Sequence, residues 1–293
     1  MKKPNFFIVG APKCGTTALA NWLSEHPNIF MAKPKEPQYY STDLKSWPIR
    51  NESQYLRLFN KASDQEYVIG EASPRYLYSN VAISHLIHDC PSAKLVVSLR
   101  NPLDMAQSLH GERRTEGVED IENFEEAWRA QRQREKGHNI PRLCPEPRLL
   151  HYGPACCLGS QLKRLYSLVP ANQVHVVFLE DLQKDPKAVY RGILGFLGVA
   201  DDGRVSFPVV NASARSRWPA VTELLKRVDL LRWKLNIPPL GTGLLSAVTR
   251  ANRVAFKRPQ VREGFKRELL DYFEGEIRDL ESITGRDLKH WRD

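Results

Sequence analysis

One short segment limits this chain more than any other. The apolar run Phe6-Phe7-Ile8-Val9 passes directly into Gly10-Ala-Pro-Lys-Cys-Gly-Thr-Thr17, and Leu19, Trp22 and Leu23 then fall on one helical face before Pro27. A strand, a tight glycine-bounded loop and a helix in that order leave several backbone N–H groups pointing at one spot. The positive end of the helix dipole lies beside them, so the segment reads as a site for a phosphate-like anion.

The rest of the chain fits the α/β layer that such a loop needs. Four runs read as strands: Phe6–Val9, Tyr67–Ile69, Lys94–Leu99 and Val174–Leu179. All are nearly continuous in apolar residues, as strands covered on both faces are. Helical stripes fill the gaps, with Leu158, Leu162, Leu165 and Val169 in one, and Ile193, Leu194 and Leu197 in another closed by Gly198. Phe265, Leu269, Phe273, Ile277 and Leu280 mark a long amphipathic helix near the C-terminus. The expected fold is α/β: a P-loop-like central parallel sheet flanked by helices. We expect residues 1–293 to form one domain, with substrate-facing elaborations near 111–150 and 199–260, where charge, Pro and Gly concentrate.

Composition narrows the class. The chain has 293 residues, 42% of them hydrophobic, enough for a sizeable core. No apolar run approaches the ~18 residues of a membrane span. The run after Met1-Lys-Lys is too short for a secretory signal. Five cysteines (Cys14, Cys90, Cys144, Cys156 and Cys157) with no CxxC read as reduced thiols, so the expectation is a cytoplasmic protein. For Cys156-Cys157 a buried helix face is favoured over a redox pair. The net charge is +9, and residues 211–268, with 13 Lys/Arg against 4 Asp/Glu, account for all of it. A polyanionic partner and a plainly solvated face both fit that segment.

The Gly10–Thr17 spacing resembles the nucleotide-binding P-loop but departs at a decisive place. Thr16 follows Gly15 where the P-loop carries Lys, and the cation sits earlier, at Lys13. ATP or GTP hydrolysis is disfavoured accordingly. The loop instead resembles the 5′-phosphosulfate loop of sulfotransferases, which use 3′-phosphoadenosine 5′-phosphosulfate (PAPS). A second segment, Leu99-Arg-Asn-Pro-Leu-Asp-Met-Ala-Gln-Ser-Leu109, is similar to that family's 3′-phosphate motif. The resemblance implies that Cys14, Gly15, Thr16 and Thr17 bind the 5′ end of the donor with Lys13. It implies that Arg100 and Ser108 grip the 3′-phosphate, a task that suits a guanidinium fork and a hydroxyl.

Further segments extend the resemblance toward the heparan-type and related bacterial carbohydrate sulfotransferases. Lys35-Glu-Pro-Gln-Tyr-Tyr-Ser41 is similar to a segment whose Glu takes the proton from the acceptor hydroxyl, which makes Glu36 the first candidate base. A surface ion pair of Glu36 with Lys33 or Lys35 is the alternative. Glu71-Ala-Ser-Pro-Arg-Tyr76 looks like the group's E-x-[ST]-P-x-Y segment. Ala72 stands where Lys often follows the Glu, so a catalytic Lys there is not carried over. Glu71, expected just after a strand, is the second candidate base, with a supporting role for a neighbouring cation equally open. His110 is a third, weaker candidate, and His85 with His88 reads as structural. Val177-Phe-Leu-Glu-Asp-Leu182, Asn211-Ala-Ser-Ala-Arg-Ser-Arg217 and Thr284-Gly-Arg-Asp-Leu-Lys-His-Trp291 resemble, in turn, the family's Y-E-D-L turn, its basic loop and its usual ending. Arg215 and Arg217 then either contact the donor or lie on a solvated loop.

The resulting expectation is a PAPS-dependent sulfotransferase acting by in-line displacement on a hydroxyl of a carbohydrate or other small metabolite. PAPS is the only cofactor implied; no metal and no nucleic acid are. The oligomeric state and the acceptor stay open. A kinase-like P-loop transferase is the competing enzyme reading. Nucleic-acid binding and a non-catalytic scaffold lack a recognisable module and a lost Lys13 or Arg100, respectively. Arg113, Arg114, Arg129, Arg132 and Arg134 alternate with glutamates, so the expectation is a helix face laced by i,i+4 pairs rather than an acceptor site.

Overall fold

A computed structural model describes residues 2–45, 49, 51–208, 214–234, 248, 251–255 and 259–293. The chain divides into two compact units. The first comprises Met1–Asn101, Leu158–Val210 and Gly275–Asp293, and the second Pro102–Cys157 and Asn211–Glu274. The stretch 111–150 belongs to the second unit, and 199–260 is shared between them.

The first unit is built on five parallel strands: β1 (Phe6–Gly10), β2 (Ile29–Met31), β3 (Val68–Ala72), β4 (Lys94–Leu99) and β5 (Val174–Phe178), in the order β2-β3-β1-β4-β5. Every residue of β1 and β3 is buried, which is why these strands read as unbroken apolar runs. The sequence reading missed β2, whose three residues are too few to set up a period. It also started β3 one residue early: Tyr67 is exposed, and the strand continues through Gly70 and Glu71 to Ala72. Glu71 therefore lies inside the strand rather than after it. A buried carboxylate does not read as part of an apolar run, which explains the misplaced edge.

Helices α1 (Thr16–Leu23), α2 (Glu52–Arg57) and α3 (Ala82–Asp89) link the early strands. α1 packs Leu19, Trp22 and Leu23 into a core with Phe6, Ile8, Ile29, Val68 and Val96. The chain leaves β1 toward β2 and β3 on one side and reaches β4 on the other. The C-terminal end of β1 is thus a switch point of the sheet, where open α/β sheets leave a crevice.

The second unit begins with α4 (Pro102–Thr115), whose proline stands at the favoured first position, and α5 (Phe124–Arg134), capped by the Asn123 side chain. α6 (Tyr152–Cys156) follows, and α7 (Leu158–Leu168) returns to the first unit. There α7 buries the predicted stripe of Leu158, Leu162 and Leu165. α8 (Leu179–Lys184) and α9 (Pro186–Leu197) come after β5; α9 buries Ile193, Leu194 and Leu197 and closes on Gly198 at φ +75°. β6 (Ala214–Ser216) and β7 (Arg253–Ala255) form an antiparallel pair in the second unit, with α10 (Pro219–Lys234) between them. α11 (Glu263–Thr284) is the predicted long helix, and all five of its stripe residues are buried. Trp128 packs edge-on against Phe265, Tyr272 and Phe273, which gives the second unit an aromatic core.

The arginine-rich stretch is not a solvated face throughout. Arg129 pairs with Glu125 at i,i+4 as expected. Arg134 and Glu119, by contrast, are both fully buried and meet at 2.6 and 2.8 Å as a two-pronged pair. Tyr152 donates to the same carboxylate at 2.7 Å, and the Ile121 N–H adds a fourth bond. Burial opposes the charge of Glu119, but these donors outweigh it and hold its carboxyl below the usual range. Arg113 is buried too, beside Glu116 and Glu112.

Breaking one half of a buried pair leaves the other charge uncompensated. Arg134→Met should therefore cost about 3–5 kcal/mol in denaturant unfolding, and Arg134→Met combined with Glu119→Leu should recover part of that loss.

Candidate active site

The β1–α1 loop is shaped by two glycines for different reasons. At Gly10 a Cβ would lie 2.6 Å from Leu77 Cβ, so the approach of the neighbouring chain excludes any larger residue. Gly15 has φ +84°, and a Cβ there would meet Leu182 at 2.6 Å and Leu179 at 3.0 Å. Position 15 thus needs glycine for its conformation, and a Cβ there would also push two leucine methyls aside. Lys13 adopts φ +64°, an uncommon state for a side-chain-bearing residue and one that marks functional turns. The loop is tied to β4 and the residue that follows it at three points: the Ala11 N–H donates to the Ser98 carbonyl, Ser98 Oγ donates to the Cys14 carbonyl at 2.5 Å, and Arg100 donates to the Lys13 carbonyl at 3.4 Å. Two predicted site residues, Lys13 and Arg100, are thereby brought together. Burial pushes the Cys14 thiol up to about 12, so Cys14 contributes backbone rather than a thiolate.

The Lys35–Ser41 segment lies along the end of β3. The Glu36 N–H donates to the Ala72 carbonyl, and Glu36 and Gln38 take φ of +63° and +52°. Lys35 Nζ donates to Thr17 Oγ1 at 3.0 Å and to Glu36 Oε1 at 2.9 Å. The candidate base is thus linked to the first turn of α1 through a lysine that the sequence reading treated only as an ion-pair partner. Its adjacency to Glu36 was visible in the sequence; its reach to Thr17 was not.

Glu71 is fully buried and ringed by hydroxyls: Ser73 at 2.7 Å, Tyr76 at 2.7 Å and Tyr55 at 3.1 Å all donate to it. Ser73 Oγ in turn accepts the Gln38 N–H, and Tyr76 the Tyr40 N–H. The carboxylate therefore orients two hydroxyls that hold the Glu36 segment in place. Burial pushes Glu71 up to about 7, against the three hydroxyl donors, and the Glu36 charge adds to the rise. Ser73 and Tyr76 belong to the motif quoted for Glu71. Tyr55, in α2, gave no sequence signal.

Two other motifs meet each other. Arg286 pairs with both Asp181 and Glu180, and its guanidinium lies 4.2 Å from the Phe178 ring centroid. His290 and Trp291 bond Glu180 as well. The Trp291 carbonyl accepts from Asn101, the residue after Arg100. This cluster fixes the start of α8, and α8 supplies the Leu179 and Leu182 that crowd Gly15.

The remaining predicted residues belong to the second unit. Ser108 is buried in α4. His110, also in α4, donates from Nε2 to the Ile121 carbonyl at 2.9 Å, and burial lowers its pKa. Arg215 lies in β6, and Arg217 is exposed with its guanidinium 5.0 Å from the Trp218 ring centroid. Residues 211–213 of the basic loop lie outside the described residues, as do parts of the 211–268 segment. Among the described residues, no group of three or more His, Cys, Asp and Glu could hold a metal ion, and no helix is long and apolar enough to cross a membrane.

The raised pKa of Glu71 makes stability depend on pH in a definite direction. Its contribution is fully present below the unfolded value of 4.5 and is lost as pH rises to about 7. Thermal unfolding between pH 4.5 and 8 should show a decline worth about 3 kcal/mol that Glu71→Gln abolishes.

Comparison with known proteins agrees with this geometry. A structure described as a sulfotransferase from Alicyclobacillus acidocaldarius superposes with a TM-score of 0.74 at 26% identity, covering all of both chains. The membrane-associated sulfotransferase kil1 of Dictyostelium discoideum is 32% identical over 110 residues, 36% of this chain and 22% of that protein. Human bifunctional heparan sulfate N-deacetylase/N-sulfotransferase 2 is 27% identical over 202 residues, 67% of this chain and 22% of that protein. The chain thus spans about a quarter of the length of the curated relatives it matches. The family model for the sulfotransferase domain matches residues 3–213, well over half of the sequence, and the chain belongs to that family.

Proposed function

We propose that the protein transfers a sulfuryl group from PAPS to a hydroxyl of a carbohydrate or another small metabolite. The observation that carries this reading is the junction at the end of β1: a glycine-shaped anion loop, Arg100 bonded to its backbone, and a Lys35–Glu36 pair bonded to its helix. The residues fit the donor's chemistry. Gly15 lets the loop turn left-handed directly into the N-terminus of α1, a terminus whose N–H groups and dipole favour an anion.

When bound, PAPS supplies sulfur to the acceptor oxygen: that O–S bond forms as the bond to the bridging oxygen breaks, leaving adenosine 3′,5′-bisphosphate (PAP). Lys13 neutralises charge that develops on the bridging oxygen. The loop N–H groups and the hydroxyls of Thr16 and Thr17 hold the 5′ end, and Arg100 with Ser108 holds the 3′-phosphate. Arg215 and Arg217 add positive charge from the basic segment. Glu36 takes the acceptor's proton. Glu71 is less suited to that task, because it is fully buried and committed to three hydroxyls. His110 is committed to a backbone carbonyl. The five cysteines, none in a CxxC pair, suit a reducing, cytoplasmic setting.

Calorimetric titration with PAP, 5′-AMP and ATP-Mg²⁺ tests the donor. PAP should bind tightest, and Arg100→Ala should erase its advantage over 5′-AMP. Equal affinity for ATP would favour the kinase-like reading instead. Lys13→Ala should lower kcat by about 10²–10³ with a smaller loss of PAP affinity. Glu36→Gln should lower kcat by about 10²–10⁴ and leave PAP binding unchanged, as measured by the same titration beside steady-state kinetics.

A further inference from the structure

Lys35 is placed too firmly to be an ordinary surface lysine. Its side chain is 25% exposed, and its ammonium bridges Thr17 Oγ1 and Glu36 Oε1. The backbone that carries it is anchored on both sides of the following residue. Glu36 bonds the Ala72 carbonyl, and Gln38 bonds Ser73 Oγ, which is itself locked by the buried Glu71. Thr17 lies in the first turn of the helix that follows the anion loop, and that turn carries no acidic residue. An ammonium there gains nothing from the helix dipole, whose positive end it faces. Together with Lys13 in the loop and Arg100 on the loop's backbone, Lys35 brings a third cation to this end of the sheet, where the carboxylates are those of Glu36 and the buried Glu71.

We propose that Lys35 is a second catalytic cation, whose ammonium, held between Thr17 and Glu36, contacts the sulfonate of the donor. This rests on the PAPS reading and extends it. The division of labour is chemical. Lys13 meets the bridging oxygen, which keeps the electron pair of the breaking S–O bond, while Lys35 meets the sulfonate oxygens that move to the acceptor. The acceptor's proton passes to the Glu36 carboxylate, so no further reactant is needed. Charge on the transferred group is spread over its peripheral oxygens in a loose transition state, and a cation fixed beside them in advance stabilises it without reorganisation. By holding Glu36 Oε1, Lys35 also sets the base beside the group being transferred.

PAP and PAPS differ only by the sulfonate, so they separate this role from a structural one. Calorimetry without acceptor should show that Lys35→Met binds PAP within about twofold of the wild type, yet binds PAPS about tenfold more weakly, the loss of one hydrogen bond between charged groups. Turnover should fall about a hundredfold. Lys35→Arg, which keeps the charge, should recover most of the PAPS affinity. Equal weakening of both nucleotides would reduce Lys35 to a brace for the loop, and unchanged PAPS affinity would remove it from the sulfonate; either result overturns the proposal. Wild-type protein that binds neither nucleotide would instead overturn the PAPS reading on which the proposal stands.

Discussion

The close approach of α8 to the β1–α1 loop is the constraint on which the rest of the first unit turns. Leu179 and Leu182 pack their methyl groups against position 15, and the loop passes through that position in a left-handed conformation. Glycine meets the conformational demand without strain, and a turn of this kind ahead of a helix N-terminus suits an anion. The neighbouring strands support that turn: Ser98 in β4 and Arg100 just after it hold its carbonyls, and Leu77 closes over Gly10 from the β3 side.

Two buried glutamates show how differently a fold can shelter a carboxylate. Glu119 in the second unit meets a guanidinium and stays ionised. Glu71 in the first unit meets only hydroxyls, and its affinity for a proton rises. The difference follows from what each must do. Arg134 and Glu119 replace apolar packing with a rigid pair that ties α5 to the stretch before it. Glu71 orients hydroxyls whose remaining lone pairs receive the backbone of the Lys35–Ser41 segment, so its strength is spent on direction rather than on charge.

Much of this was legible in the residues. The anion loop, the parallel sheet and the amphipathic helices follow from local patterns: a strand meeting glycine, continuous apolar runs, and stripes such as Phe265 to Leu280. What escaped has a common cause. β2 is too short to show a period, and β3 contains a carboxylate, Glu71, that breaks its apolar run. Tyr55 reaches Glu71 from a helix with no motif, and Lys35 reaches Thr17 across eighteen positions of sequence. The Arg134–Glu119 pair looked like surface alternation because sequence spacing does not reveal which side of a helix is covered. Local patterns carry the elements; contacts between distant segments exist only once the chain has folded.

The cluster around Arg286 bears on how the chain comes together during synthesis. Its acidic partners, Glu180 and Asp181, sit beside the residues that pack on Gly15, yet Arg286, His290 and Trp291 leave the ribosome more than a hundred residues later. Between the two come α9, β6, α10, β7 and all of α11. The anion loop and its sheet can therefore form early, but the α8 turn beneath them keeps two uncompensated carboxylates until the last described segment arrives. In the nascent chain the loop is shaped before it is secured.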